Sequence, residues 1–492
     1  MFEQNCDVPS EPEPRAKVSP LSDWPPPDDR IDPLAIYHQR PHECAVATLT
    51  RAQKVALLVL FLTAAAAATC NWVATLVVIN SAVIFFYVAH IAYKFYLVWL
   101  SLGRGVELSP TPEEIAAVPD HELPTYTILI PLYREAEVLG RLVQALGKLD
   151  YPAGKLDIQL LLEEDDQQTI EAARRMSLPP QFRCVVVPQG HPKTKPRACN
   201  YGLQQSSSDL LVIFDAEDRP EPDQLRKAAV AFRRTPPEVV CLQARLNYYN
   251  QRQNLLTRWF TAEYSTWFDL FLPGLTASGA PVPLGGTSNH FRVSVLKDLL
   301  GWDPFNVTED CDLGVRLHAH GYRTAMLAST TWEEANPALL NWIRQRSRWA
   351  KGYLQTYLVH MRHPLRLLRA LGARAFWGFQ MTVGGSLLCF LVNPVYWLMT
   401  VLWFLTHAGV ISAMFPPLIY GLGLVCGFLG NFVFVYLALV GCMQRGYYDL
   451  VKYTVLTPVY WLLMSIGAYK ALLQLISRPH YWEKTQHGLF SG

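Results

Sequence analysis

The sequence predicts a doubly wound α/β domain inserted between α-helical membrane segments. Between residues 104 and 362, short apolar runs that read as buried strands alternate with helical patterns. On either side, residues 54–103 and 363–492 are dominated by apolar stretches long enough for bilayer crossings, each of which takes about 20 residues. Two of the strand-like runs end on acidic residues, at the end of such a sheet where ligands bind.

The chain opens on a polar segment. Its first 50 residues hold nine prolines and nine Asp/Glu against four Lys/Arg, which reads as a disordered tail over residues 1–53 with no cleavable signal peptide. Residues 55–100 are uncharged apart from Lys94 and suit two crossings with a tight turn near Cys70-Asn71; one very long tilted helix is the alternative. Arg40, Arg51 and Lys54 before this pair and Arg104 after it place both flanks, and with them residues 104–362, in the cytoplasm.

The middle region begins with Tyr126–Pro131, an apolar run with the look of a buried parallel strand, followed by a helical stretch over 135–148. Further runs at Ile158–Leu162, Cys184–Val187 and Leu210–Phe214 alternate with helical patterns. From residue 363 the chain returns to the membrane. Pro364–Arg369 suits a helix lying in the interface. Residues 376–407, bent at Asn393-Pro394, and 418–443 suit crossings. Arg445, Lys452, Arg478 and Lys484 then place much of 446–476 in the interface, giving four crossings with six as the alternative.

Composition removes some classes of function. The net charge of +2 gives no ground for a nucleic-acid partner. The ten cysteines fall singly, which reads as free thiols in a reducing compartment and not as a disulfide framework or zinc site.

Four clusters carry the chemistry. Asp215-Ala216-Glu217-Asp218 follows an apolar run. Mg2+ or Mn2+ on a diphosphate takes one or two carboxylates plus phosphate oxygens, so Asp215, Glu217 and Asp218 are the candidate metal ligands; an acidic strand-to-loop turn is the plain reading. Glu163-Glu164-Asp165-Asp166 could accept from a uracil N–H, or be a solvated loop. Thr308-Glu309-Asp310 precedes a helix: Thr308 suits an N-cap and Asp310 the helix dipole, or Asp310 is the general base for an acceptor hydroxyl. Gln345, Arg348 and Trp349 share one helix face, where Trp offers a wall for a sugar ring and Arg a partner for a departing diphosphate. A basic helix with Arg344, Arg346 and Lys351 on lipid phosphates is the alternative there. Gly285-Gly286 permits close backbone approach to a ligand. Asn306-Val307-Thr308 spells a glycosylation sequon that a cytoplasmic location leaves unused.

From about residue 120 to 490 these features resemble the membrane-embedded family 2 glycosyltransferases, among them cellulose, hyaluronan and mannan synthases and bacterial β-glucan synthases. Pro131-Leu132-Tyr133-Arg134-Glu135 is similar to the opening P-x-Y-N-E, with Arg134 in place of Asn. Lys195–Asn200 is similar to K-A-G-A-L-N. Asp215 and Glu217 match the metal-binding D-x-D with Glu in second place, Asp310 the T-E-D base, and Gln345, Arg348 and Trp349 the Q-x-x-R-W. The first acidic site departs most, since the family has Asp-Asp where this chain has Glu163 to Asp166. Tyr481-Trp482-Glu483-Lys484-Thr485 resembles a gating loop.

The resemblance implies a GT-A type cytoplasmic domain on a bacterial inner-membrane, multi-pass protein. It implies donor binding by Tyr133, Glu135, Glu163, Asp165, Lys195, Asp215, Gln345, Arg348 and Trp349, and catalysis by Asp310. It also implies acceptor contacts or gating by Gly286, Glu309, Trp349, Trp482 and Thr485. The implied partners are Mg2+ or Mn2+, a UDP-sugar, a growing polysaccharide and the lipid bilayer. The 16 residues after Ile476 predict no C-terminal regulatory domain, so regulation would need a periplasmic or regulatory partner protein. The leading expectation is an inverting, processive synthase of a β-linked polysaccharide, a β-glucan from UDP-glucose, that moves its product across the membrane. A single transfer to a lipid is the alternative. A transporter or scaffold with a degenerate enzyme domain comes third, because few charges lie in the spans.

Overall fold

The computed structural model describes residues 28, 30–103, 105–481 and 483. Nine strands form one mixed sheet: β1 (Glu107–Leu108), β2 (Tyr126–Leu132), β3 (Leu156–Glu163), β4 (Phe182–Val187), β5 (Leu210–Ile213), β6 (Arg219–Pro220), β7 (Val239–Tyr248), β8 (Asn289–Arg292) and β9 (Arg323–Glu333). Their order is β1-β9-β7-β8-β5-β2-β3-β4, with β6 paired on β9. The four apolar runs expected to be strands are β2 to β5, and these are parallel neighbours. Beyond them β8 runs antiparallel between β5 and β7.

Both faces of this sheet are covered, which is why its strands read as continuous apolar runs. Ile128, Ile130, Leu160, Leu162 and Val212 enter one core; Leu129, Leu161, Val185, Leu211 and Ile213, one residue out of phase, enter the other. The strand order turns at β2, which has β3 on one side and β5 on the other. Such a reversal opens a crevice at the carboxyl ends of the strands. There β2 leads to Tyr133, β3 ends on Glu163 and β5 leads to Asp215.

Four helices among the described residues are long and apolar enough to cross a membrane: Arg51–Ser101, Pro364–Thr406, Pro417–Gln444 and Thr457–Ser477. The first, if straight, would run about 76 Å, more than twice the roughly 30 Å of a bilayer core. Asn71 breaks it: its backbone is extended (φ −157°, ψ 93°), and its Oδ1 accepts from the Ala74 amide at 2.9 Å, starting a new helix. Gln53 donates to the Leu358 carbonyl at 2.7 Å and Leu97 packs on Gly274, both in helices attached to the sheet domain. Asn80 instead donates at 2.6 Å to Met414, in the loop before Pro417–Gln444. The chain thus folds back at Asn71. The helix Thr457–Ser477 runs beside Leu339–His360, with Tyr460 and Trp342 ring centres 5.1 Å apart and Gly467 against Arg346.

The N-terminal segment differs from a structureless tail through residue 53. Residues 30–50 lie against the sheet domain. Ala45 N donates at 2.6 Å and Cys44 Sγ at 3.0 Å to the buried Asp303 carboxylate, and Asn200 Nδ2 donates at 3.0 Å to the Pro33 carbonyl. Composition did not reveal this because the anchor is a carboxylate elsewhere in the chain, not an apolar run of the segment itself. The membrane helix then starts at Arg51, behind a Thr50–Gln53 capping box.

Candidate active site

The carboxyl ends of β2, β3 and β5, the Gly285–Thr287 loop, and the helices Glu309–Ala319 and Leu339–His360 line one end of an open cavity of about 1820 Å³ that also runs between the apolar helices. Tyr133, Glu135, Glu163, Lys195, Asp215, Glu217, Gly286, Glu309, Asp310, Gln345, Arg348 and Trp349 all line it. Residues separated by more than 200 positions in sequence are therefore gathered on one chamber. Asp165 and Asp218 are not in its wall. Trp482 and Thr485 lie outside the described residues.

Lys195 opens the helix Lys195–Gln205 and is the bridge of the site. Its ammonium pairs with Asp215 and donates to the Gly286 carbonyl at 2.7 Å. Burial disfavours that charge, yet Asp215 and Glu309 facing it hold the lysine above its usual pKa. Gly286 lies beside the base candidate: a Cβ there would stand 3.5 Å from Asp310 Oδ2.

Burial pushes Asp310 up to about 6, against Lys195 and Arg348, which pull it down. Burial and Asp310 together push Glu309 up to about 7. Asp310 also accepts from the Cys311 amide at 2.7 Å, which orients one carboxylate oxygen. A carboxylate whose pKa lies near neutrality is suited to take a proton. Thr308 makes no side-chain cap for this helix. Its hydroxyl is packed against Gly352 instead, and Asn306 Oδ1 accepts from the Thr308 amide at 3.1 Å. Asn306 is 1% exposed, so the sequon is shut inside the domain.

The second acidic cluster divides its labour. Asp215 and Glu217 face the cavity. Asp218 is 1% exposed and turned inward, accepting from the Asp215 amide at 2.7 Å and from the Thr287 hydroxyl. Burial, then Asp215 and Glu217, push the Asp218 pKa well up. The donors here are hard carboxylate oxygens under mutual repulsion, a set that fits Mg2+ or Mn2+ through Asp215 and Glu217. Among the described residues no three His, Cys, Asp or Glu side chains gather closely enough to hold an ion alone.

The first acidic cluster divides likewise. Glu163 is 4% exposed, 3.9 Å from Arg197, and burial raises its pKa to about 7. Asp165 pairs with Lys193, whose ammonium lies 5.1 Å from the Tyr133 ring centre. Asp166 caps the helix Gln167–Arg175, accepting from Thr169 N at 3.3 Å, and also accepts from the Arg134 amide. Arg134, standing where the resembled motif has Asn, is left-handed at φ 56°, a conformation Asn adopts more readily.

On the helix Leu339–His360, Gln345 and Arg348 face the cavity and Trp349 stacks on Tyr264 at 6.3 Å between ring centres. Contacts from Arg346 and Lys351 to lipid phosphates are excluded by burial. Arg346 is 5% exposed, pairs with Glu263 at 2.8 Å, accepts no lipid-facing role, and lies 4.7 Å over the Trp349 ring. Lys351 is fully buried and donates to the Tyr481 carbonyl.

Sequence reasoning missed Glu263, Tyr264, Glu333 and His480, which also line the cavity. Glu333 was within reach, because it closes β9 as Asp215 follows β5. Glu263 and Tyr264 sit on a helix, Leu255–Thr266, with no motif to mark them. The cavity continues between the apolar helices, past Tyr396 and Phe415 to Trp403 and Ser412 in and beside the far loop.

Residues 124–352 match the family model described as glycosyltransferase like family 2. The chain is 28% identical over 282 residues to a beta-monoglucosyldiacylglycerol synthase of Synechocystis, covering 54% of this chain and 58% of that protein. It is 26% identical over 272 residues to a probable glucomannan 4-beta-mannosyltransferase of Arabidopsis thaliana, covering 54% and 46%. The chain thus spans about half the length of these curated relatives. Among solved structures, the mannosyltransferase PcManGT of Pyrobaculum calidifontis, in complex with GDP-Man and Mn2+, has a similar fold: TM-score 0.50 at 16% identity, covering 82% of this chain and 99% of that one.

Proposed function

We propose that this chain, whose residues 124–352 form a family 2 glycosyltransferase domain, is an inverting, processive synthase that builds a β-linked polysaccharide, most simply a β-glucan from UDP-glucose, and passes it through its membrane helices. The observation that carries this reading is the single cavity joining Asp215 and Asp310 to Trp349 and onward to Trp403. A transferase acting only on soluble acceptors has no use for its far half. The tryptophans and tyrosines along it offer the flat faces on which sugar rings stack.

In this reading the acceptor hydroxyl gives its proton to Asp310 and attacks the anomeric carbon. The new C–O bond forms as the bond to the UDP oxygen breaks, and UDP leaves with that electron pair. Lys195 and Arg348 hold the donor and its growing negative charge, Glu163 and Tyr133 border the base-binding end, and Trp349 with Gly286 shapes the acceptor's position. When bound at Asp215 and Glu217, Mg2+ or Mn2+ supplies positive charge to the diphosphate. The domain lies on the cytoplasmic side of a bacterial inner membrane, where nucleotide sugars are available, and the multi-pass helices flank it.

Radiolabel incorporation by purified protein in lipid vesicles, with each nucleotide sugar offered separately, tests this. High-molecular-weight label from one donor supports a synthase and names the sugar. Label confined to the lipid fraction supports the second reading, single transfer to a lipid, which the likeness to a glycolipid synthase favours.

A further inference from the structure

One face of the returning half of the Arg51–Ser101 helix presents Tyr87, His90, Ile91 and Lys94 to the cavity, spaced i, i+3, i+4 and i+7. Lys94 is the single charge in residues 55–100, and it is 4% exposed. Its ammonium stands 4.4 Å from the ring centre of Phe271 and 5.2 Å from that of Trp267. Among the described residues it makes no ion pair or hydrogen bond. One turn earlier His90 is 3% exposed, and its Nδ1 has no hydrogen-bond partner among the described residues. Ring faces relieve only part of the cost of burying a cation. An ionisable side chain at membrane depth, facing a cavity, marks a ligand path.

The position of this pair says which ligand it meets. Trp349 stacks on Tyr264, whose ring centre is 5.3 Å from that of Phe268. Phe271, the next residue on that helix face, touches Lys94. Lys94 therefore stands beyond the Trp349 platform, on a helix long and apolar enough to cross a membrane. In the transferase reading the donor diphosphate has its own cations in Lys195, paired with Asp215, and Arg348, near Asp310. Any anion at Lys94 comes with the acceptor.

We propose that Lys94, with His90 beside it, is an anion subsite of the acceptor cavity that takes a phosphate or carboxylate group carried by the acceptor. This deepens the transferase reading and rests on it, since it assumes that the cavity is the acceptor's path. It keeps the transferase and its cavity from that reading but replaces the neutral β-glucan: the acceptor is then a phosphorylated lipid or an acidic glycan, because a wholly neutral glycan leaves the ammonium without a partner.

The test is direct binding to the full chain in nanodiscs of neutral lipid, using farnesyl phosphate against farnesol and a β-linked trihexuronate against the matching neutral trisaccharide. At least one charged probe binds about tenfold or more tightly than its neutral counterpart. The preference falls to within about twofold in Lys94→Gln and persists in Lys94→Arg. Preference for farnesyl phosphate identifies a lipid phosphate as the source, and preference for the hexuronate an acidic glycan; either supports the subsite. Equal or absent binding of charged and neutral probes by the unaltered protein overturns it, as does a preference that survives Lys94→Gln. UDP affinity measured on the same samples separates the two claims and reports folding of the variants. A protein that binds no UDP refutes the transferase reading, whereas one that binds UDP but shows no charge preference refutes the subsite alone.

Discussion

Gly352 and Thr308 meet so closely that a Cβ on Gly352 would stand 2.3 Å from the Thr308 hydroxyl oxygen and 2.5 Å from its methyl carbon. Gly352 is one turn past Trp349, and Thr308 immediately precedes Glu309 and Asp310. The absent side chain sets the distance between the helix that carries Asp310 and the helix that carries Trp349. Gly352→Ala must push them apart. The variant is expected to lose about 1–3 kcal/mol of stability from overpacking, seen as a lowered Tm in calorimetry, and to lose turnover beyond what reduced folded protein explains. Unchanged Tm and turnover would show that the two helices separate without consequence.

Asp310→Asn keeps the shape of the side chain and removes its ability to take a proton. Turnover is expected to fall by about 10²–10⁴-fold, the usual span for a lost general base. UDP affinity should stay within about threefold, because no donor contact is removed. Isothermal titration with UDP, beside radiolabel transfer, reads both quantities; a variant that retains full turnover refutes the base assignment.

The pH profile follows from the same carboxylates. Burial raises Asp310 to about 6 and Glu309 to about 7, and a base works only when ionised. Activity is therefore low below pH 6, rises as pH increases through 6 to 7, and levels above. Lys195 favours the ionised form of Asp310, so its removal raises the pKa of that carboxyl. In Lys195→Met the acid limb of kcat should move to higher pH. A limb that stays in place, or moves down, would exclude Lys195 from control of the base.

Arg346 and Glu263 form an ion pair beneath Trp349, with Tyr460 donating to the same carboxylate at 2.5 Å. Glu263→Ala leaves the Arg346 guanidinium, 5% exposed, without its anion. Breaking such a buried pair costs about 3–5 kcal/mol, with the low end expected because the Glu263 side chain is 32% exposed. Denaturant unfolding measures it. A change near zero would mean that the ring faces around Arg346 suffice to hold its charge.

How much of this was legible in the sequence depended on whether a residue advertised itself locally. The four strands β2 to β5 were readable because both faces are buried and the runs are continuously apolar. That Asp215, Lys195, Asp310 and Arg348 would gather on one cavity was readable because each sits in a short motif at a strand or helix end or on one helix face. The roles inside a cluster were not. Nothing in Asp215-Ala216-Glu217-Asp218 says that the last carboxylate turns inward to hold the Asp215 amide and the Thr287 hydroxyl. Likewise nothing in residues 30–50 says that Asp303, some 250 positions on, anchors Ala45. These are long-range contacts, and local pattern carries no record of them. Arg346 and Lys351 misled for the opposite reason: basic residues on an amphipathic helix suit a lipid surface, and only tertiary packing reveals Glu263 and Tyr481 as their partners.

The inward turn of Asp218 separates two variants that the sequence treats alike. Glu217 faces the cavity, and Asp218 holds the loop that presents Asp215. If a divalent cation binds through Asp215 and Glu217, Glu217→Gln weakens it directly. The activating Mn2+ concentration should rise by about 10–100-fold, with little loss of thermal stability in the absence of metal. Asp218→Asn should do the reverse. The amide oxygen can still accept both hydrogen bonds, but the NH2 takes the place of Oδ1, which is buried without a partner, so an unsatisfied donor lowers Tm while leaving the Mn2+ requirement of the remaining folded protein within about threefold. The Asp218 pKa, raised by burial and by Asp215 and Glu217, adds a sign to this. A carboxyl whose folded pKa lies above its unfolded value stabilises at low pH and loses that contribution as pH rises through the folded value. The stability deficit of Asp218→Asn relative to the unaltered chain should therefore shrink as pH rises. Mn2+ titrations of turnover, paired with thermal melts at several pH values, read both effects. A larger shift in Mn2+ requirement for Asp218→Asn than for Glu217→Gln would return Asp218 to the metal and make Glu217 the bystander.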